Sequence, residues 1–145
     1  MANVYDVAAY ILERHGPMTA MKLQKLVYYS QAWSIVWDDD ALFQEEIEAW
    51  KNGPVVKELW EAHRGRFRVE AIAQGKSGAL NNDQTETIDK VLDFYGHESA
   101  QWLSDLTHLE DPWKDAWARG PSSTITKEAL SEYYSSIEPP SEQEG

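Results

Sequence analysis

The fold is decided by residues 19 to 37, TAMKLQKLVYYSQAWSIVW. Apolar side chains recur in this stretch at intervals of three and four residues, and further aliphatic and aromatic residues fill the positions between them. An apolar arc this wide is typical of a helix that other elements cover on several sides. Thr19 can cap its first turn, and the acidic run Asp38 to Asp40 predicts its end, because acids are disfavoured at the negative end of a helix. The stretch therefore predicts a long central helix.

Shorter amphipathic patterns around this segment predict further helices. One spans residues 4 to 15, between the cap residue Asn3 and the terminating pair Gly16-Pro17. Pro54 suits the first position of another helix, which ends at Gly65. The remaining predicted helices begin near Asp83, Glu98, Asp111-Pro112 and Thr126, and they cover residues 83–95, 98–108, 112–119 and 127–137.

Two segments alternate in the manner of short strands. Phe43, Ile47 and Ala49 alternate with polar residues, although that stretch is also compatible with a helical turn. Apolar and charged residues alternate in RFRVEAI, residues 66 to 72, and we expect this strand to pair with residues 46 to 50. The patterns together predict a mainly α fold, a compact single-domain bundle of about six to seven helices with a small two-stranded β element.

The composition bounds the domain organisation. A chain of 145 residues with 42% hydrophobic and 12% aromatic residues is long and apolar enough for one sizeable core. We expect residues 1–138 to form this single domain. The acidic tail at residues 139–145 lacks apolar residues and is expected to be mobile.

The charge and the residue types absent from the chain exclude several classes of function. The chain carries 13 Lys and Arg against 25 Asp and Glu, a net charge of −12. Because nucleic-acid-binding surfaces are usually basic, this balance argues against direct nucleic-acid binding, and it favours a basic protein partner or simple solubility over imitation of a nucleic acid. The lack of cysteine excludes disulfides, cysteine zinc sites and thiol nucleophiles. Since neither a signal-peptide pattern nor a long apolar run is present, we expect a cytoplasmic protein that does not enter the membrane.

The segment SDLTHLEDPWKDAW, residues 104 to 117, is the strongest candidate for chemistry. His108 with Glu110, Asp111 and Asp105 could form an acid–base or metal cluster, but no second ligand set accompanies them. Asp111 followed by Pro112 instead has the pattern of a helix start. The segment therefore predicts neither a catalytic residue nor a metal site.

Two pairs of residues each leave two interpretations open. Trp113 and Trp117 share one helix face and are either both core residues or include a partly exposed interface anchor. Lys22 and Lys25 lie on the polar strip of the central helix. They form either a solvated face paired with nearby acids or one side of a groove facing acids such as those at residues 45, 46 and 48.

Three stretches together resemble the Panacea-domain family, also called SocA-like or phage-associated proteins. They are MTAMKLQKLVYYSQAW (18–33), LFQEEIEAWKNGPVVKELWEAH (42–63) and LSDLTHLEDPWKDAW (103–117), and their order and spacing agree over roughly residues 1 to 120. The family motif positions present here include Lys22, Leu23, Lys25, Leu26, Tyr28, Tyr29, Gly53, Pro54, Val55, Thr107, His108, Glu110, Pro112 and Trp113. The resemblance implies a compact helical domain that neutralises a toxin by direct binding.

We therefore expect an antitoxin that binds a cognate, basic protein toxin without a cofactor. The expected partner-binding residues are His108, Glu110, Trp113 and Trp117, with Gly53, Pro54, Val55, Lys22, Lys25 and Tyr29. One alternative is an adaptor that delivers its partner to a cellular protease, for which the acidic tail or another surface would make the second contact. The other, ranked lowest, is an enzyme centred on His108 and Glu110.

Overall fold

The computed structural model describes residues 2–139 and shows a mainly helical protein, as predicted. Seven α-helices lie within this range, at the upper end of the predicted number. They are α1 (Val4–His15), α2 (Ala20–Asp38), α3 (Lys57–His63), α4 (Asn82–Tyr95), α5 (Ala100–Leu109), α6 (Asp111–Arg119) and α7 (Lys127–Tyr134). A short 3-10 turn, Ser77–Ala79, precedes α4.

The central helix α2 organises the core. Helices α1, α4, α5 and α7 all pack against it, and its residues from Leu23 to Ser34 are buried without interruption. Thr19 caps its first turn by accepting a hydrogen bond from the Lys22 amide, as predicted. Its buried Gln31 side chain accepts from the Leu42 amide at 2.7 Å and donates to the Phe43 carbonyl at 2.9 Å. The wide apolar arc thus corresponds to a helix enclosed by other elements.

The β structure consists of two small sheets rather than one two-stranded element. The five strands are β1 (Met18–Thr19), β2 (Ile47–Trp50), β3 (Gly53–Val56), β4 (Arg68–Val69) and β5 (Thr124–Ile125). One sheet pairs β1 with β4, and the other has the order β3-β2-β5, with antiparallel pairing throughout. The predicted pairing of residues 66–72 with residues 46–50 is therefore wrong. Both edges of β2 are taken, one by the adjacent hairpin strand β3 and the other by β5.

The predicted helix start at Pro54 is also wrong. Gly53–Val56 forms strand β3, and the helix begins only at Lys57. Pro54 is compatible with this strand because β3 lies at the edge of its sheet. On its outer side, Gln24 of α2 takes the place of a neighbouring strand: its side chain accepts from the Val56 amide at 2.9 Å and donates to the Val56 carbonyl at 3.3 Å.

The other predicted helix starts are confirmed in part. Asn3 caps α1 and Thr126 caps α7 as expected. For α4 the cap is Asn81, which forms a reciprocal capping box with Gln84, two residues ahead of the predicted pair Asp83 and Glu86. For α6 the capping position is Glu110 rather than Asp111, and no side chain caps the helix; Asp111 is its first residue and Pro112 follows.

The buried apolar side chains form one contiguous cluster that extends from Ala2 to Tyr134. Among residues 2–139, no helix combines the length and apolar character needed to cross a membrane. Most of the predicted mobile tail, residues 140–145, lies outside the described residues.

Candidate functional site

The turn between β2 and β3 is held against helices α2 and α5 by an unusually close contact at Gly53. Its φ of +122° lies in a region that side chains disfavour, and a Cβ atom there would stand 2.5 Å from Lys25 Cε and 3.0 Å from Thr107 Oγ1. Ser104 Oγ donates to the neighbouring Asn52 carbonyl at 2.6 Å. We call this contact, formed by Lys25, Gly53, Ser104 and Thr107, the hairpin joint. It brings together family motif positions that are up to 82 residues apart in the chain.

His108 and Trp113 extend this attachment to the main chain of the hairpin. His108 Nε2 lies 2.8 Å from the Lys51 carbonyl oxygen, and its Nδ1 faces the Ser104 carbonyl. The Trp113 indole donates to the Trp50 carbonyl at 2.8 Å, and its ring lies 4.1 Å from the His108 ring, centroid to centroid. Both ring nitrogens of His108 are thus engaged by backbone oxygens. This geometry favours a structural role for His108 over proton transfer.

The two tryptophans of α6 have different environments. Trp113 is 7% exposed and belongs to the core, whereas Trp117 is partly exposed and packs against that core. Their rings stack with centroids 5.4 Å apart and an interplanar angle of 12°. Only Trp117 of the pair therefore offers a substantial part of its surface to a partner.

Glu110 lies in a buried cluster of tyrosines. Its Oε1 accepts hydrogen bonds from the hydroxyls of Tyr29, at 2.8 Å, and Tyr134, at 2.6 Å, and Tyr134 is in turn 3.0 Å from the Tyr28 hydroxyl. Burial raises the pKa of Glu110 to about 7, although the two tyrosine hydrogen bonds oppose the shift. Tyr29 and Glu110 thus join α2 to the α5–α6 corner and are not surface residues. No group of three or more His, Asp or Glu side chains in residues 2–139 is arranged to hold a metal ion.

The two lysines of α2 do not form the predicted solvated pair. Lys25 is 1% exposed, with no acid close to its ammonium group, so neither interpretation offered for it is correct. Lys22 is only partly exposed, and the acid whose charge acts on it is Glu98 rather than one of residues 45, 46 and 48. Burial lowers the pKa of Lys22, and Glu98 opposes that effect. The polar strip of α2 did not predict the exposure of its lysines correctly, because the hairpin covers it.

The structure also exposes apolar residues that were assigned no role from the sequence. Trp102 is 40% and Leu109 is 73% exposed, and with the half-buried Leu106 they lie at helical intervals of four and three residues along α5. We call this row the α5 stripe. Leu103 and Thr107, each one position after a member of the row, are buried, and the sequence pattern alone did not distinguish this inward face from the stripe. Phe67, 84% exposed, lies on the loop before β4 and is not part of this row.

The predicted site residues therefore divide into two groups. Lys25, Tyr29, Gly53, Pro54, Val55, Glu110 and Trp113 are buried, and His108, Trp117 and Lys22 are partly exposed. The structure brings most of them together around the hairpin and the α5–α6 corner. The buried group holds this region in shape, and the exposed part of His108 and Trp117 adjoins helices that carry apolar surface.

Comparison with known families agrees with this arrangement. Residues 23–114 match the family model described as antitoxin SocA-like, Panacea domain, and the match includes α2, the hairpin, α5 and the start of α6. Searches of curated proteins and of solved structures found no match. Because the family model covers well over half of the chain, this protein belongs to the SocA-like antitoxin family defined by the Panacea domain.

Proposed function

We propose that this protein neutralises a cognate protein toxin by binding it directly, and that the α5 stripe together with Trp117 forms the contact surface. Membership of an antitoxin family supports a toxin partner. The observation that carries the choice of surface is the row of exposed apolar side chains on α5. Large apolar side chains left in water in a helical row are typical of interaction sites, and tryptophan is enriched among residues that dominate binding energy.

The charges around the stripe favour a basic partner. Asp105 and Asp111 are exposed beside it, and Asp115 is exposed on the next helix. With a net charge of −12, the chain attracts a basic protein over a long range and accelerates its association. An apolar centre with an acidic rim is the expected counterpart of an apolar patch bordered by Lys and Arg.

The buried motif residues act indirectly in this proposal. Glu110, Trp113 and Gly53 fix the position of α5, α6 and the hairpin relative to α2. Substituting them would disturb the contact surface through the fold. Trp102, Leu109 and Trp117 are the residues whose side chains would be buried by the toxin itself.

The test is a comparison of Leu109→Ala and Trp102→Ala with the matched control Phe67→Ala, which removes an exposed apolar side chain outside the stripe. Because Leu109 and Phe67 are largely exposed, Leu109→Ala and Phe67→Ala should keep the thermal stability of the wild type, whereas Trp102→Ala also loses the packing of the buried part of its ring. We expect the two stripe variants to lose toxin affinity by about tenfold or more each, a loss of at least 1.4 kcal/mol, and to rescue growth of toxin-expressing cells less well. The control should bind and rescue normally.

An intact affinity in both stripe variants would refute the proposed surface. A failure of the wild-type protein to bind the product of any adjacent toxic gene would instead refute the antitoxin function. Delivery of the partner to a cellular protease, through the tail or another surface, remains an alternative prediction.

A further inference from the structure

A cavity of about 300 Å³ opens between α2, the β2–β3 turn and the segment that follows α3. Its wall includes Lys25, Lys51, Arg64 and Arg66, and it contains no Asp or Glu. This local charge is opposite in sign to that of the whole chain, where Asp and Glu outnumber Lys and Arg by 25 to 13. The cavity is therefore a cationic site in an acidic protein.

Lys25 is the unusual residue of this cavity. Its side chain is 1% exposed, and within residues 2–139 its ammonium group has neither a hydrogen-bond acceptor nor an ion-pair partner. Among the side-chain N and O atoms in that same range, only Ser30 Oγ is both without a partner and completely inaccessible. The unpartnered ammonium group of Lys25 therefore keeps some accessible surface, and it reaches the cavity that Lys25 lines. Burial lowers the pKa of Lys25 to about 8, which leaves the group mostly protonated at neutral pH. A buried ammonium group without a partner is unfavourable, and an anion in the cavity would relieve this cost.

The surrounding main chain makes room for this lysine. A Cβ atom at Gly53 would lie 2.5 Å from Lys25 Cε and 3.3 Å from Nζ, so the glycine allows the end of the side chain to pass the hairpin turn. The absence of a side chain at this position thus places the positive charge at the cavity wall.

The remaining walls supply aromatic surface and additional charge. Trp50 and Trp60 pack edge to face with ring centroids 5.5 Å apart, and both line the cavity. The guanidinium group of Arg64 lies over the Trp60 ring and pairs with Glu61 at the surface. Arg66 donates to the carbonyls of Ala62 and Ala71, so its charge is not neutralised by an acid.

From this arrangement we propose that the cavity binds a small organic oxyanion, a carboxylate or phosphate attached to a flat ring, with Lys25 holding the anionic group and Trp50 and Trp60 holding the ring. Charge-assisted hydrogen bonds provide the anionic half of this recognition, and aromatic contact provides the other half. The volume lies at the lower end of the range for small-molecule pockets, which limits the ligand to one ring system with its anionic group. This function is independent of toxin binding through α5.

The test uses two anionic probes and their neutral counterparts, phenyl phosphate with phenol, and benzoate with benzyl alcohol. Binding is measured on the full chain by calorimetry and by the shifts of the Trp50 and Trp60 indole N–H signals in nuclear magnetic resonance spectra. We expect at least one anion to bind with a Kd of about 1 mM or tighter. Its neutral counterpart should bind at least about tenfold more weakly.

Lys25→Met is the decisive variant, and Lys22→Met is its matched control on the same helix outside the cavity wall. The Met side chain has a similar length without the charge, so we expect Lys25→Met to fold with an equal or higher melting temperature and to lose anion binding about tenfold or more. The control should bind the anion as the wild type does. The proposal is overturned if neither anion binds at 5 mM, about five times the expected Kd. It is also overturned if the neutral probes bind equally well or if Lys25→Met binds as the wild type does.

Discussion

Glu110 gives the protein a pH dependence that can be measured without knowledge of its partner. Burial raises the pKa of this carboxyl group from 4.5 to about 7 in the folded protein. Between these values the folded state holds a proton that the unfolded state releases, so the free energy of unfolding falls as the pH rises. The stabilisation that the protonated Glu110 gives is fully present below pH 4.5 and is lost as the pH rises through about 7. The two pKa values give a total change in the free energy of unfolding of about 3 kcal/mol.

Glu110→Gln should abolish this slope. The glutamine keeps an oxygen that can accept from Tyr29 and Tyr134, and it carries no charge at any pH. The pKa values of both tyrosines are raised well above 10 by burial, so they do not titrate in this interval. The stability of the variant relative to wild type should therefore increase by about 3 kcal/mol between pH 4.5 and pH 8.

Urea unfolding followed by tryptophan fluorescence at several pH values in this interval measures the difference. Glu132→Gln serves as the control, because Glu132 is exposed on α7. Its stability relative to wild type should remain nearly constant with pH. A flat difference curve for Glu110→Gln, or one that falls with rising pH, would contradict the assignment of a raised pKa to Glu110.

Three further substitutions test buried contacts of the hairpin and of helix α2 by chemical unfolding. Gly53→Ala should lower the free energy of unfolding by about 2–4 kcal/mol, because it adds an unfavourable φ and a clash with Lys25, whereas Gly78→Ala, in open space, should change it little. Trp113→Phe removes the donor to the Trp50 carbonyl and should cost about 1–3 kcal/mol, and an unchanged midpoint would disprove that contribution. Gln31→Leu leaves the Leu42 amide and Phe43 carbonyl unpaired and should lower the free energy of unfolding by about 2–5 kcal/mol. An unchanged free energy would mean that water takes the place of the Gln31 side-chain amide.

Local patterns predicted the helices well and the strand pairing poorly. The central helix, and the caps at Asn3 and Thr126, follow from short-range periodicity and from side chains that bond amides three residues away. The mistaken helix start at Pro54 arose because proline is suited both to the first turn of a helix and to an edge strand. Here the stretch forms a strand whose Val56 main chain is bonded by the side chain of Gln24, 32 residues earlier in the chain, a contact that local patterns do not reveal. Strand pairing with residues 66–72 failed for the same reason, since β5 competes for β2 from the other end of the chain.

The candidate site shows a similar division between what the sequence contains and what depends on the fold. The sequence identified the motif residues around His108 and Glu110, but it could not show that Lys25 is buried, because a lysine on a helix has the same pattern whether or not another element covers it. Nor could it separate Leu103, which faces inward, from Trp102, which faces outward, since both are apolar and adjacent. These distinctions come from the packing of the hairpin on α2 and α5.

The hydrogen bond from Tyr134 to Glu110 has a consequence for how this protein is made. A ribosome synthesises the family-matched residues 23–114 well before it adds β5 and α7, yet Ile125 pairs with Ile47 and Tyr134 completes the cluster around Glu110. Until those last residues emerge, the nascent chain exposes an unpaired strand edge and part of the α2 surface. The final packing of the domain therefore follows the synthesis of Tyr134.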